Sequence, residues 1–283
     1  MSIQFSPVLA VKESGRSTNF SMKNIDLHRL GELASPIIVF DDFHVRGQPF
    51  SPHPHAGFSA VSYVFEDSQA NLRSRTSLGH DLAIGPGGIG WTDAGSGLVH
   101  EEVPAEADRE LHGVQIFVNL SSKNKLAAPQ VLWLTKSEVP EWQSRAGDRV
   151  RVVVGSFEGV SSPLVPVEPF NLLDVELRHE ISYTLQDIHN TLVYVLSGDV
   201  NVLAEGRGQQ VSGQHVLALH GSDERVKLVA LHNAHFLILS GTAIHEPMVA
   251  EGPFIMNERS QIEAAIARYR SGGMGHLVPL SER

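Results

Sequence analysis

The chain has 283 residues, 42% hydrophobic and 19% charged, the profile of an ordinary folded protein of two-domain size. Its formal charge of -10 argues against a broad nucleic-acid or anionic-membrane surface, which needs a basic face. The absence of any cysteine rules out disulfides, thiolate metal sites and cysteine nucleophiles together, and no apolar run is long enough to cross a bilayer as a helix.

At the start, Met1 to Arg16 holds only the short apolar run Pro7-Val8-Leu9-Ala10-Val11 before Lys12, too short for a signal-peptide core, so a cytoplasmic address is expected. From Pro36 onward the texture is short apolar runs broken by glycine, proline and polar residues. They include Pro36–Phe40, Val61–Phe65, Gly113–Val118, Val131–Leu134, Arg149–Val154, Leu192–Leu196, Val200–Leu203, Val226–Ala230 and Phe236–Leu239. Each is of strand length, rich in valine and isoleucine, and bounded by turn formers, which predicts an all-β sandwich or barrel. Ser197-Gly198-Asp199 reads as a hairpin turn between two of these runs. The runs fall into two sets separated by the polar stretch Thr135 to Asp148, which predicts a domain at 1–140 and a second at 141–283. One helix is expected near the end. Ser260 and Glu263 have capping-box spacing, Ile262, Ile266 and Tyr269 share a face, and Gly272-Gly273 would stop it.

The 15 histidines are informative through their placement. His53 and His55 stand two apart just ahead of a strand pattern, and in extended backbone residues i and i+2 point to one face. His100 and Glu102 repeat that spacing. Two neighbouring strands carrying these pairs would aim three imidazoles and a carboxylate at one point. Such a nitrogen and oxygen set suits Fe(II), Mn(II), Ni(II), Cu(II) or Zn(II), and four ligands on a six-coordinate ion leave positions for chemistry. Other motifs are weaker. Gly85-Pro86-Gly87-Gly88-Ile89-Gly90 fits G-x-G-x-x-G, but strand and turn residues follow where a dinucleotide site needs a helix. His245-Glu246 lacks the second histidine of a zinc-protease helix. His215, His220, His232 and His235 lack ligand spacing; His80 and His112 lie in the first domain, where they could line the cavity but are read first as packing residues.

Pro52-His53-Pro54-His55-x-Gly57-Phe58, Ile84-x-Pro86-Gly87, Trp91 and Ala94-Gly95-x-Gly97-Leu98-Val99-His100-x-Glu102-x-Pro104 together resemble the pirin family of bicupins. Val114–Leu120 and Glu251–Asn257 resemble two further signatures, so the likeness runs from about Phe40 to Gly275. It implies two stacked double-stranded β-helix (cupin) barrels with a short C-terminal helix, and metal only in the N-terminal barrel. Carried over by position, the ligands are His53, His55, His100 and Glu102, and Fe(II) is the metal usually associated with the family. Ser59, Gly88 and Glu101 depart from the family pattern, at positions expected to lie close to the pocket.

The resemblance implies a metal-dependent dioxygenase of the quercetinase type, acting with O2 on a flavonol or related phenolic. Glu102 would accept the proton of the substrate hydroxyl, and Phe58, Phe65, Trp91 and Phe117 would supply an apolar wall for a flat aromatic substrate. The alternative is a metal- or redox-sensing interaction protein with a protein partner and no turnover. An open chamber at the metal separates the first from the second.

Overall fold

The structure, a computed structural model, describes residues 3–17, 19–47 and 50–280. Met1 and Arg283, the outer ends of the two expected domains, lie outside the described residues. The expected β texture is what forms: strands in two large sheets and two four-stranded sheets, with α1 (Arg259–Arg270) the one α-helix among the described residues.

The chain divides into two compact units, but not at a single cut. One comprises Glu13–Asn24, Ile37–Lys136 and Ile244–Arg283, the other Met1–Lys12, Ile25–Pro36 and Ser137–Ala243. The main crossing is at 136/137. Both chain ends, however, belong to the opposite unit from their neighbours in sequence.

In the first barrel a seven-stranded sheet runs in the order Gln130–Leu134, Ile89–Asp93, Phe58–Val64, Leu111–Asn119, Ile37–Val45, Phe20–Asn24, Lys12–Arg16. A four-stranded sheet runs His53–His55, Leu98–Pro104, Leu72–Thr76, Asp81–Ile84. Alternation decides what each strand shows the interior. On Ile37–Val45, Asp41, Phe43 and Val45 share one face, while Asp42 and His44 share the other. The glycines of Gly85–Gly90 form a turn and the opening of strand Ile89–Asp93, with no helix, as read from the sequence.

The second barrel has an eight-stranded sheet containing, in spatial order, His215–His220, His189–Ser197, Ala234–Thr242, Phe170–Leu177 and Arg149–Val154. Its four-stranded sheet runs Glu180–Thr184, Arg225–Ala230, Asp199–Ala204, Arg207–Ser212. Two expectations change here. The supposed hairpin at Ser197-Gly198-Asp199 joins strands of different sheets, so it is a barrel corner. Gly198 has φ +78°, and a Cβ there would stand 2.3 Å from the Asn233 carbonyl oxygen, which is why the corner needs glycine. Part of the supposed connector, Glu141–Gln143, is an edge strand paired with Arg149–Val154.

Helix α1 begins earlier than Ser260. Glu258 is its N-cap, and its reciprocal partner in the capping box is Gln261 rather than Glu263. Ile262 and Ala265 are buried with Ala56, Val99, Phe254, Met256 and Met274, and Tyr269 is exposed. The tail helix therefore belongs to the barrel that carries His53 and His55, although the sequence order suggested the other. Among the described residues no helix is long and apolar enough to cross a membrane.

Candidate metal centre

His53–His55 and Leu98–Pro104 are adjacent antiparallel strands with His100 opposite His53 and Leu98 opposite His55. This register brings the two segments together as their spacing required. Ring nitrogens of His53, His55 and His100 lie within 4.8 Å of one another. The ring centroids are 4.8 Å apart for His53–His55, 4.6 Å for His53–His100 and 4.4 Å for His55–His100.

The state of these rings follows from their surroundings. His53 Nδ1 is 2.9 Å from the Ser51 carbonyl, an acceptor only, so Nδ1 carries the proton and Nε2 presents its lone pair. That Nε2 is 3.0 Å from His100 Nε2. Neither ring nitrogen of His55, nor Nδ1 of His100, makes a hydrogen bond, although all three are buried. Burial holds the His55 pKa down to about 3, with the neighbouring His53 imidazole adding to it and the nearby Pro253 carbonyl opposing it. Burial and the other two imidazoles hold His100 well below its ordinary value. Both rings are thus neutral, the form that ligates a metal. Buried polar nitrogens left without partners are costly, and a cation would satisfy them. The separation fits as well: two nitrogens about 2.1 Å from one ion and at right angles lie about 3.0 Å apart, against about 3.4 Å for a tetrahedral pair. The donor set therefore fits a divalent metal.

Glu102 faces the same chamber but is not part of the nitrogen cluster. Its carboxylate accepts hydrogen bonds from Ser62 Oγ at 2.6 Å and Ser74 Oγ at 3.0 Å. Burial pushes its pKa up, against the pull of those hydroxyls and of the nearby His53 imidazole.

The chamber is a cavity of about 140 Å³. His53, His100, Glu102, Ser62, Asp41 and Gln115 supply its polar wall, and Phe20, Met22, Phe43, Val45, Leu72 and Leu111 are among its apolar lining. Phe50 also lines it while being 47% exposed, so the cavity reaches the surface. The four aromatic residues expected to form the wall do not line it. Trp91 is paired opposite Val61, and Val61 and Phe65 alternate with Ser62, so Trp91 and Phe65 point to the other face of the sheet. Trp91 donates its Nε1–H to Asp93, and Phe65 packs on Tyr63 and His112. Phe58 and Phe117 do share the inner face, but they pack on each other and behind His55.

The three departures from the family pattern likewise lie off the cavity. Ser59 donates to Asp93 at 2.6 Å. Gly88 has no room for a side chain, since a Cβ would stand 2.8 Å from the Leu134 carbonyl oxygen. Glu101 forms a buried ion pair with Arg75 at 2.6 Å, and the tail adds the Leu280 N–H to Glu101 and the Val278 carbonyl to Arg75.

Two contributors escaped the sequence reading. Asp41 is one; adjacent aspartates on a strand of a barrel force one to face inward, which was the available signal. Lys125 is the other. It is fully buried, and its Nζ donates to the carbonyls of Gly57 at 2.8 Å and Ile255 at 3.0 Å and to the Asn119 side chain. Gly57, at φ +84°, could bear no Cβ because the Ile255 oxygen would lie 1.9 Å away. The turn after His55 is thereby clamped to the segment before α1.

Asp42, His44 and His112 form a second group of donors on the outer face. The two rings stack nearly parallel, with centroids 3.9 Å apart and planes 11° apart, so their lone pairs run side by side instead of converging. Burial lowers the His112 pKa, but ion pairing with Asp42 and Asp67 outweighs this and raises it. This is an ion-paired network, and His112 packs as read. His80 meets Thr76 and Trp133. In the second barrel His215 meets the Gly213 carbonyl, His220 the His189 carbonyl and Asn190, and His235 Asp174, while His232 is exposed.

The chain matches the family model described as Pirin over residues 13–118 and that described as Pirin C-terminal cupin domain over residues 172–275. It is 31% identical to human pirin over 261 residues, 90% of this chain and 84% of that one. It is 32% identical to a Pseudomonas aeruginosa protein that carries the provisional name quercetin 2,3-dioxygenase, over 85% of this chain and 87% of that one. The crystal structure of a quercetin 2,3-dioxygenase from Acinetobacter baumannii superposes with a TM-score of 0.83 at 25% identity, covering 98% of this chain and all of that one.

Proposed function

Because this chain belongs to the pirin family of two-barrel cupins, we propose that it is a metal-dependent dioxygenase acting on a small hydroxylated aromatic compound. The ligands are His53, His55, His100 and Glu102, and the metal is one divalent transition ion, Fe(II) first, with Mn, Ni, Cu and Zn as the alternatives the same donor set accepts. The observation that carries the reading is His55, buried beside two other imidazoles with neither ring nitrogen hydrogen-bonded. Quercetinase-like relatives support the reaction class. A cytoplasmic address is part of this proposal.

When bound, the metal would supply Lewis acidity toward a hydroxyl and redox chemistry with dioxygen. The chain's own residues do the rest. His53, fixed through Nδ1 by the Ser51 carbonyl, turns its Nε2 lone pair toward His100 Nε2, which donates to it at 3.0 Å in the metal-free chain and would give up that proton to ligate beside it. Glu102, with its pKa raised, takes the proton of the substrate hydroxyl, and Ser62 and Ser74 hold the carboxylate in position for it. Phe43, Val45, Leu72 and Leu111 exclude water and flank a flat ring.

At about 140 Å³ the chamber is smaller than the ~300 Å³ at which pockets for drug-sized ligands begin. One aromatic ring fits within it, and a whole flavonol such as quercetin would extend past Phe50. A sensor without turnover needs no chamber that reaches the surface, which favours the enzyme over an iron-dependent protein-binding role. Oxygen uptake by iron-loaded protein, with catechols and with quercetin, tests the proposal. Uptake above a His53→Ala control is expected, and uptake equal to that control with every phenolic would refute it.

A further inference from the structure

The chamber has a second carboxylate that the metal chemistry above leaves unused. Asp41, Gln115 and Ser62 are directly opposite one another on three adjacent strands, so they form one row across the inner face of the sheet. Asn24 is opposite Asp41 on the next strand and extends the row. Ser62 is the end that holds Glu102. With strands about 4.8 Å apart, Asp41 begins about 10 Å across the sheet from Ser62.

Asp41 lines the cavity and is half-buried, yet it makes no hydrogen bond or ion pair among the described residues. Its strand neighbours in the row, Asn24 and Gln115, are uncharged, and the titratable groups that share the chamber are His53, His100 and Glu102. A shielded carboxylate without a partner is costly to keep, and burial pushes its pKa up to about 6. A donor from outside the chain would offset that cost.

Resting on the reading of this chamber as the substrate site, we propose that Asp41, with Gln115 beside it, is the specificity-determining pole of the cavity. It receives a hydrogen-bond donor, a hydroxyl or amine, borne by the substrate ring on the side remote from the hydroxyl held at the histidines. The substrate class is therefore a single-ring phenol or catechol with a donor-bearing substituent, and a ring ending in a methyl group is disfavoured because it leaves the carboxylate shielded and unpaired.

Anaerobic calorimetry on the metal-loaded full chain tests this without turnover, using 4-methylcatechol and 4-(hydroxymethyl)catechol as probes. The wild type is expected to bind the hydroxymethyl compound about tenfold more tightly, as a hydrogen bond to a charged group permits. Asp41→Ala should bring the ratio close to one. Asp41→Asn keeps the size of the side chain, serves if the smaller residue fails to fold, and should leave an intermediate ratio. Metal content should be unchanged in both. A wild type with no preference, a folded variant with the wild-type ratio, or loss of metal from folded Asp41→Asn would overturn the role of Asp41. Binding of both catechols with equal affinity removes that role alone, whereas binding of neither removes the substrate chamber as well.

Discussion

The two barrels are built on the same strand order and differ in what fills them. In the first, the paired strands His53–His55 and Leu98–Pro104 carry His53, His55, His100 and Glu102. The strands in the matching places of the second are Glu180–Thr184 and Arg225–Ala230, and their i, i+2 pairs are Ile181 with Tyr183 and Val226 with Leu228. All four are buried in one apolar core with Val193, Val200, Phe236 and Ile238. The same backbone thus holds either a polar chamber or a close-packed core, according to which residues occupy two alternating pairs. Fold is shared between the barrels, and chemistry is carried by the site.

The comparison is broken most severely by making the first barrel like the second. His100→Leu places an apolar side chain on Leu98–Pro104, the strand whose match in the second barrel buries Val226 and Leu228. Metal affinity should fall by at least about 100-fold, measured by competition against a chelator. Metal-free His100→Leu should nevertheless melt no lower than the metal-free wild type, because a buried imidazole whose Nδ1 has no partner has been replaced by hydrocarbon. A large drop in melting temperature would show that the imidazole is structural.

Glu101→Ala should be the next largest effect. It leaves Arg75, only 3% exposed, with the half-exposed Asp81 carboxylate at 3.9 Å as its remaining charge partner, and losing the near partner of a buried pair costs about 3–5 kcal/mol. Denaturant titration should find that loss while metal affinity stays near wild type, since Glu101 faces away from the chamber. In the second barrel Leu228→Ala should cost about 2–5 kcal/mol by opening a void in a filled core, again without effect on metal.

The smallest expected effect concerns pH. The folded chain holds the Asp41 proton more tightly than the unfolded chain does, with a pKa of about 6 against 3.8. Its stabilising contribution is present below the unfolded value and is lost as pH rises through about 6. The loss is at most ~3 kcal/mol for a shift of this size. Asp41→Asn should therefore raise the melting temperature of metal-free protein by a few degrees at pH 8 and by little at pH 4. Equal effects at both pH values would place Asp41 in a solvated setting.

Much of this contrast was legible in the chain, because period-two patterning and paired spacing are local. His53, His55, His100 and the strands that carry them follow from alternation and register. What escaped depends on distant partners. Nothing local to Lys125 signals burial; Gly57, Asn119 and Ile255 close around it from distant parts of the chain. Trp91 and Phe65 were assigned to the wall because aromatic character is visible in a sequence, whereas the face of the sheet depends on register with Ser62. Ser197-Gly198-Asp199 has hairpin chemistry, and only the sheet membership of the flanking strands shows a corner. The tail helix was assigned by chain order, while Ile262 and Ala265 found their apolar partners in the other barrel.

The central claim is that the first barrel binds a metal and the second does not. Elemental analysis of the wild-type chain, purified without chelating resin and reloaded anaerobically with iron, tests it most directly alongside His55→Leu and Tyr183→Leu. The account predicts about one transition-metal ion per chain in the wild type and in Tyr183→Leu, and essentially none in His55→Leu. A wild type without metal after reloading, or a His55→Leu chain that keeps its full complement, would contradict it.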